Sequence, residues 1–136
     1  MNIYLADKMR GRPGFGFGKF HEMARVLRSQ GHTVFNPAAQ DENDGFNPET
    51  DEPDHISAYM VKDIPAVMEA DAVVLGDMWH ESQGAILEAF SAAWVGKKVI
   101  KYTGWEDVSL GTIIRTMREW LANGGAEAIM EDSRES

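Results

Sequence analysis

A chain of 136 residues, 43% hydrophobic and 26% charged, has the size and balance of one globular domain with a real core. A formal net charge of −9 argues against a nucleic-acid polymer as partner, and the absence of cysteine excludes disulfides, thiolate metal sites and a thiol nucleophile. No apolar run nears the ~20 residues that span a bilayer and no signal-peptide pattern opens the chain, so a cytoplasmic enzyme or binding domain with no membrane partner is expected.

In chain order, "MNIYLA" reads as a short buried strand. The stretch "KMRGRPGFGFG" follows, and its five Gly or Pro residues fit a loop close to a ligand. Phe20, Met23, Ala24 and Leu27 share a helical face, which Gly31 ends. "HTVFNP" is a second strand stopped by Pro37, and residues 38–55 read as a long, acidic surface loop. A helix resumes near Ser57 with Met60, Ile64, Val67 and Met68 on one side, and Pro65 within it is expected to kink or divide it. "DAVVLGD" is a third strand, apolar enough to be covered on both faces.

Residues 82–95 form the next helix, with Ile86, Ala89, Phe90, Ala93 and Trp94 as its core-facing stripe and Gly96 as its stop. "KKVIKY" is a fourth strand. Leu110, Ile113, Ile114, Met117 and Leu121 mark a last helix that ends at Asn123-Gly124-Gly125. The domain therefore spans 1–125, residues 126–136 form a C-terminal tail, and the "EDSRES" at its end is expected to be frayed. Strand–helix alternation at this spacing predicts an α/β fold, a single flavodoxin- or Rossmann-like parallel sheet with helices on both faces. Its expected strand order is 2-1-3-4, with room for a fifth strand.

In such a sheet the ligand crevice opens beyond the strand C-termini where the order reverses, here between the first and third strands. The loop after the first strand brings Lys8, Arg10, Gly11 and Arg12 to that point; the loop after the third brings Trp79 and a helix start at Ser82 and Gly84. Helix-start N–H groups, a Ser hydroxyl and a facing Arg make a phosphate-sized site. Glu88 lies further along that helix among Ala85, Ala89 and Ala92, whose small side chains allow another surface, such as a second subunit, to approach closely. Plainer readings exist for each feature: a flexible glycine loop, an N-capping Ser82, a half-exposed Glu88, and a Trp79 that packs instead of stacking on a base. Their joint placement at the switch point favours a site.

At these residues the chain resembles the nucleoside 2-deoxyribosyltransferase superfamily. "IYLADKMRG" is similar to the opening I-Y-x-A-G-P-M-R-G of its small bacterial and phage members. "KDIPAVMEADAVVLGDMWHESQGAILEAFSAAWVGKKVI" is similar to its second half: an Asp on a helix, an A-D-x-V-V-L strand, a W-x-x-S-x-G-A-x-x-E helix and a G-K-x-V strand. The resemblance covers residues 2–100 and implies a nucleoside or nucleotide as small-molecule ligand. It implies Glu88 as the nucleophile at the anomeric carbon, Asp63 as the group assisting departure of the base, and Tyr4 as the residue orienting Glu88. The branch represented by 2'-deoxynucleoside 5'-phosphate N-hydrolase further implies Arg10 and Ser82 as binders of a 5'-phosphate. Asp7-Lys8 stands where the family commonly has Gly-Pro, and Asp7 would repel a phosphate unless Lys8 or Arg10 pairs with it. Family sites borrow residues from a neighbouring subunit, which implies a homodimer or larger homo-oligomer.

The implied chemistry suits these residues. Cleaving an N-glycosidic bond passes through an oxocarbenium-like state that a carboxylate stabilises or traps, while a separate acid helps the base leave. Water as acceptor gives hydrolysis and a second base gives transfer, with no metal or cofactor required. Glu88 is expected to be ionised near neutral pH. A non-catalytic nucleotide-binding or sensor domain of the same fold is the alternative from a different class.

Other signals are weaker. "QDENDGFNPETDE" fails as an EF-hand, because Gln40 and Asp51 fall at the two key ligand positions. His21, His32, His55 and His80 have no zinc-ligand spacing, and Asp71 reads as structural.

Overall fold

The computed structural model describes residues 1–135. Five strands form one sheet in the order β2-β1-β3-β4-β5: β1 (Asn2–Ala6), β2 (Thr33–Phe35), β3 (Ala72–Leu75), β4 (Lys98–Lys101) and β5 (Glu106–Asp107). The first four are parallel, and β5 adds an antiparallel edge to β4. This is an α/β, Rossmann-like fold, and the expected order holds with the fifth strand in place.

Six helices connect and flank the strands among the described residues: α1 (Phe17–Ser29), α2 (Pro37–Asn43), α3 (Ile56–Glu69), α4 (Gln83–Trp94), α5 (Leu110–Trp120) and α6 (Ala126–Glu135). The chain steps from β1 to β2 in one direction and from β2 across β1 to β3 in the other. Right-handed crossovers therefore place α1 on one face and α3 and α4 on the opposite one. The cores follow. Ile3, Leu5 and Val74 meet Phe20, Ala24 and Leu27 of α1, while Tyr4, Ala6, Val73 and Leu75 meet Val67, Ile86, Ala89 and Ile113. Every residue of β3 is buried, as its unbroken apolar run requires.

Four expectations need correction. The stretch 38–55 is not loop throughout: Asn36 caps α2 by accepting from Ala38 N at 3.0 Å and Ala39 N at 3.4 Å, with Pro37 at the first helical position. Pro65 does not divide its helix, since α3 runs as one element from Ile56 to Glu69. The inward face of α4 is Ala85, Ile86, Glu88, Ala89 and Ala92, whereas Trp94 is 68% exposed and stacks on Phe90. The tail 126–136 is mostly helix: α5 turns through Leu121–Gly125, where Gly124 takes φ +102°, and continues as α6. The last residue of that expected tail, Ser136, lies outside the described residues. No helix among the described residues is long and apolar enough to cross a membrane.

Candidate active site

Strand alternation settles where Tyr4 points. Ile3 and Leu5 face α1, so Tyr4 faces the opposite layer, where α3 carries Asp63 and α4 carries Glu88. The Tyr4 hydroxyl donates to Glu88 Oε2. Tyr4 is 0%, Glu88 5% and Asp63 8% exposed, so none of the three is a surface group. The alanines beside Glu88 explain its depth. Ala85, Ala89 and Ala92 are all buried within this chain's own core, so they bring α4 close to its neighbours here and leave no flank open to a second subunit.

Burial governs the protonation of the cluster. It pushes the Glu88 carboxyl well above the ordinary range; the Tyr4 hydroxyl opposes the shift and the charges of Asp63 and Asp41 add to it. This runs against the expectation of a Glu88 ionised near neutral pH: burial disfavours the charged form, and the Tyr4 hydrogen bond is what favours it. Asp63 is raised to about 6, first by burial and then by Asp41, against Lys62 and the Tyr4 hydroxyl. The Tyr4 phenol is itself raised, by burial and then by Glu88, so it remains a donor.

These groups lie in a cleft of about 400 Å³ at the C-terminal edge of the sheet. Lys8, Arg10, Ser82 and Gly84 line it with them. Lys8 Nζ pairs with Glu81 Oε1 at 3.3 Å. Arg10 donates to the carbonyl of Asp54 and lies over the Tyr59 ring, 5.8 Å from its centroid. Ser82 Oγ accepts from Ala85 N at 3.2 Å, a helix cap in its own right. Two predicted site residues fall elsewhere. Gly11 serves the turn with φ +80° and does not line the cleft. Trp79 is buried in the core with Ile113 and Val99, so it has no free face for a base.

Asp7 has a different partner from either expected one. Its Oδ2 accepts from Arg12 Nη1 at 3.0 Å, and its Oδ1 accepts from the backbone N–H groups of Lys8 at 2.8 Å and Met78 at 3.0 Å. The carboxylate rests on Gly76, where a Cβ would stand 2.1 Å from Oδ2. Asp7 thus ties the loop after β1 to the loop after β3, with its charge compensated in place.

Sequence reasoning missed several wall residues. Asp41 of α2 enters the cleft from beyond β2; the Asn36-Pro37 cap was the available signal. Phe15 holds φ +54° between two left-handed glycines, packs edge-on against Phe46 at 5.4 Å and lines the cleft. Backbone strain of this kind is retained where surrounding structure holds it and is found at ligand sites. Trp120, Ala128 and Asp132 close the cleft from the C-terminal side, and Asp132 Oδ1 accepts from Ile56 N at 3.3 Å and pairs with His55 Nδ1 at 3.5 Å.

Fold and site together define an α/β protein with a carboxylate-lined cleft at the switch point of a mostly parallel sheet. Residues 1–101 match the family described as a domain of unknown function, DUF4406, and the chain belongs to that family. The matched span holds Tyr4, Asp63 and Glu88 and ends with β4. Neither a curated protein nor a solved structure matches the chain.

Proposed function

We propose that the protein cleaves or transfers the N-glycosidic bond of a 2-deoxynucleoside 5'-monophosphate or its nucleoside. One observation carries the reading: three separate elements bring a buried Tyr–Glu hydrogen bond and a second buried carboxyl into one ligand-sized cleft. Burying such groups is unfavourable unless a task requires it, so their convergence in a cleft supports the reading of a reactive site.

With Oε2 held by Tyr4, Glu88 uses Oε1 to attack the anomeric carbon. The carbon–nitrogen bond breaks, its electron pair goes to the base, and Asp63 in its protonated form supplies the proton. Water then attacks the anomeric carbon of the glycosyl ester and gives a proton to the Asp63 carboxylate. The carbon–oxygen bond to Glu88 breaks, which frees the sugar or sugar phosphate and restores both carboxyl groups. A second base in place of water completes a transfer. Lys8, Arg10 and the start of α4 line the cleft together with Asp41, Asp63 and Glu88, so both cationic and acidic groups face a ligand there. That arrangement suits a ligand with an anion at one end and a base at the other. The same reading puts the protein in the cytoplasm, where such nucleotides are made and broken.

The test is incubation with a panel of deoxynucleosides and their monophosphates, with chromatography for released base. Wild type is expected to release base and Glu88→Gln to release none while still binding. Equal rates in the two would remove Glu88 from the mechanism. Binding without release from any member of the panel would replace the enzyme with a nucleotide sensor.

A further inference from the structure

Among the acidic side chains that line the cleft, Glu88 is answered by the Tyr4 hydroxyl, and the same hydroxyl acts on Asp63. Asp41 differs. Its side chain is only 8% exposed, yet its nearest charged partner, Lys62 Nζ, stands 3.7 Å from Oδ1, beyond hydrogen-bond length. That lysine lies closer to Asp44, at 3.2 Å. A buried carboxylate normally gathers two or three donors, and Asp41 instead borders an open cleft that it shares with Asp63.

We propose that Asp41 is a specificity-determining residue: with Asp63 it forms an acceptor pair that takes a base bearing an exocyclic amino group in preference to its oxo counterpart. The inference rests on the reading of the cleft as a deoxynucleotide site. An amino group presents N–H bonds to the carboxylates, whereas an oxo group presents lone pairs and leaves Asp41 with only the Lys62 ammonium at 3.7 Å. Sites built to hydrogen-bond a ligand discriminate strongly against an analogue that cannot reciprocate, because their own buried groups are then left unpaired.

Electrostatics agrees with the geometry. Burial raises the Asp41 carboxyl; Lys62 opposes the shift and Asp44 adds to it. Ligand N–H donors would relieve both carboxylates at once, adding to what Tyr4 and Lys62 supply. The plainer role for Asp41, an ion-pair partner holding α2 to Lys62 of α3, makes different predictions and is separable.

The experiment compares base release from 2'-deoxyadenosine with 2'-deoxyinosine 5'-monophosphate, and from the deoxycytidine with the deoxyuridine 5'-monophosphate. Calorimetric binding of all four is measured alongside. Wild type is expected to favour the amino member by ~10–100-fold in kcat/KM or affinity. Asp41→Asn is expected to erase that preference by improving the oxo member, since the new amide can donate. Lys62→Met should leave the preference in place. Amino and oxo members treated alike by wild type, a preference untouched by Asp41→Asn, or one lost equally in Lys62→Met would each overturn the role of Asp41 alone. Failure of all four nucleotides to bind or react would instead overturn the nucleotide reading and this inference with it. Should Asp41→Asn not fold, the wild-type and Lys62→Met ratios still decide the matter.

Discussion

Asp63 couples function to stability through a single proton. Its pKa of about 6 in the folded protein stands above the ~3.9 of an unfolded chain. Below about pH 4 both states hold the proton and the group carries no penalty. As pH rises toward 6 the unfolded chain releases it first, so stability falls, and the loss is complete above the folded pKa. Two units correspond to about 3 kcal/mol. Asp63→Asn is therefore expected to raise Tm at pH 8 by several degrees and to flatten the dependence of Tm on pH between about 4 and 7. Scanning calorimetry across that range checks it; a variant no more stable than wild type at pH 8 would show that Asp63 is not held desolvated.

The residues of the cluster were not equally legible in sequence. Glu88 stood out as a charge in an apolar helix pattern, and Tyr4 as a polar tip on a buried strand. Asp41 was hidden in "QDENDGFNPETDE", where its neighbours are solvent-facing acids and only a three-dimensional contact singles it out. The partner of Asp7 was equally invisible, because Arg12 reaches it through the turn between them, where Gly11 takes φ +80° and Arg12 N donates to the Met9 carbonyl.

That loop shows what elements contribute. The Asp7–Arg12 pair is nearly closed to water, with side chains 3% and 14% exposed, and it joins the two loops that frame the cleft. Removing one member strands the other charge, for which about 3–5 kcal/mol is typical. Asp7→Ala is expected to lower unfolding stability by an amount of that order, and Asp7→Ala with Arg12→Ala to lower it by less than the sum of the two single changes. Denaturant titration of the four proteins gives the coupling, and strict additivity would mean the clasp contributes nothing.

Other elements carried clear or ambiguous signals for physical reasons. β1, β3 and β4 were readable from apolar runs and α1 from its period, because burial dictates those patterns. α2 was not, since its seven residues are short of large apolar side chains and bury only Pro37, Ala38 and Asp41. The inward face of α4 was misplaced because the helix is apolar nearly all round, so periodicity alone could not choose between Trp94 and Ala92. α6 was lost behind Asn123-Gly124-Gly125, a stop signal that here makes a corner and not an end.

For the whole molecule, the misplaced face has a further meaning. Leu87 and Trp94 of α4 and Val61 and Met68 of α3 are exposed apolar side chains on adjacent helices, with Val61 at 76% and Trp94 at 68%. A surface of this kind is unfavourable in water unless something covers it. The homo-oligomer is therefore expected through this face, and not through Ala85, Ala89 and Ala92. Light scattering should give a dimer or larger closed assembly at micromolar concentration, and Trp94→Lys should shift it toward monomer. A wild-type monomer at that concentration would dismiss the assembly.

The two borders of the sheet make the complementary point. On one side stands β2, three residues long; on the other stands β5, whose two residues, Glu106 and Asp107, are both exposed acids. A strand so short offers almost no bare backbone for another chain to copy, and its negative charges repel an identical edge. The borders of the sheet are thus closed to the strand-by-strand recruitment that builds fibres.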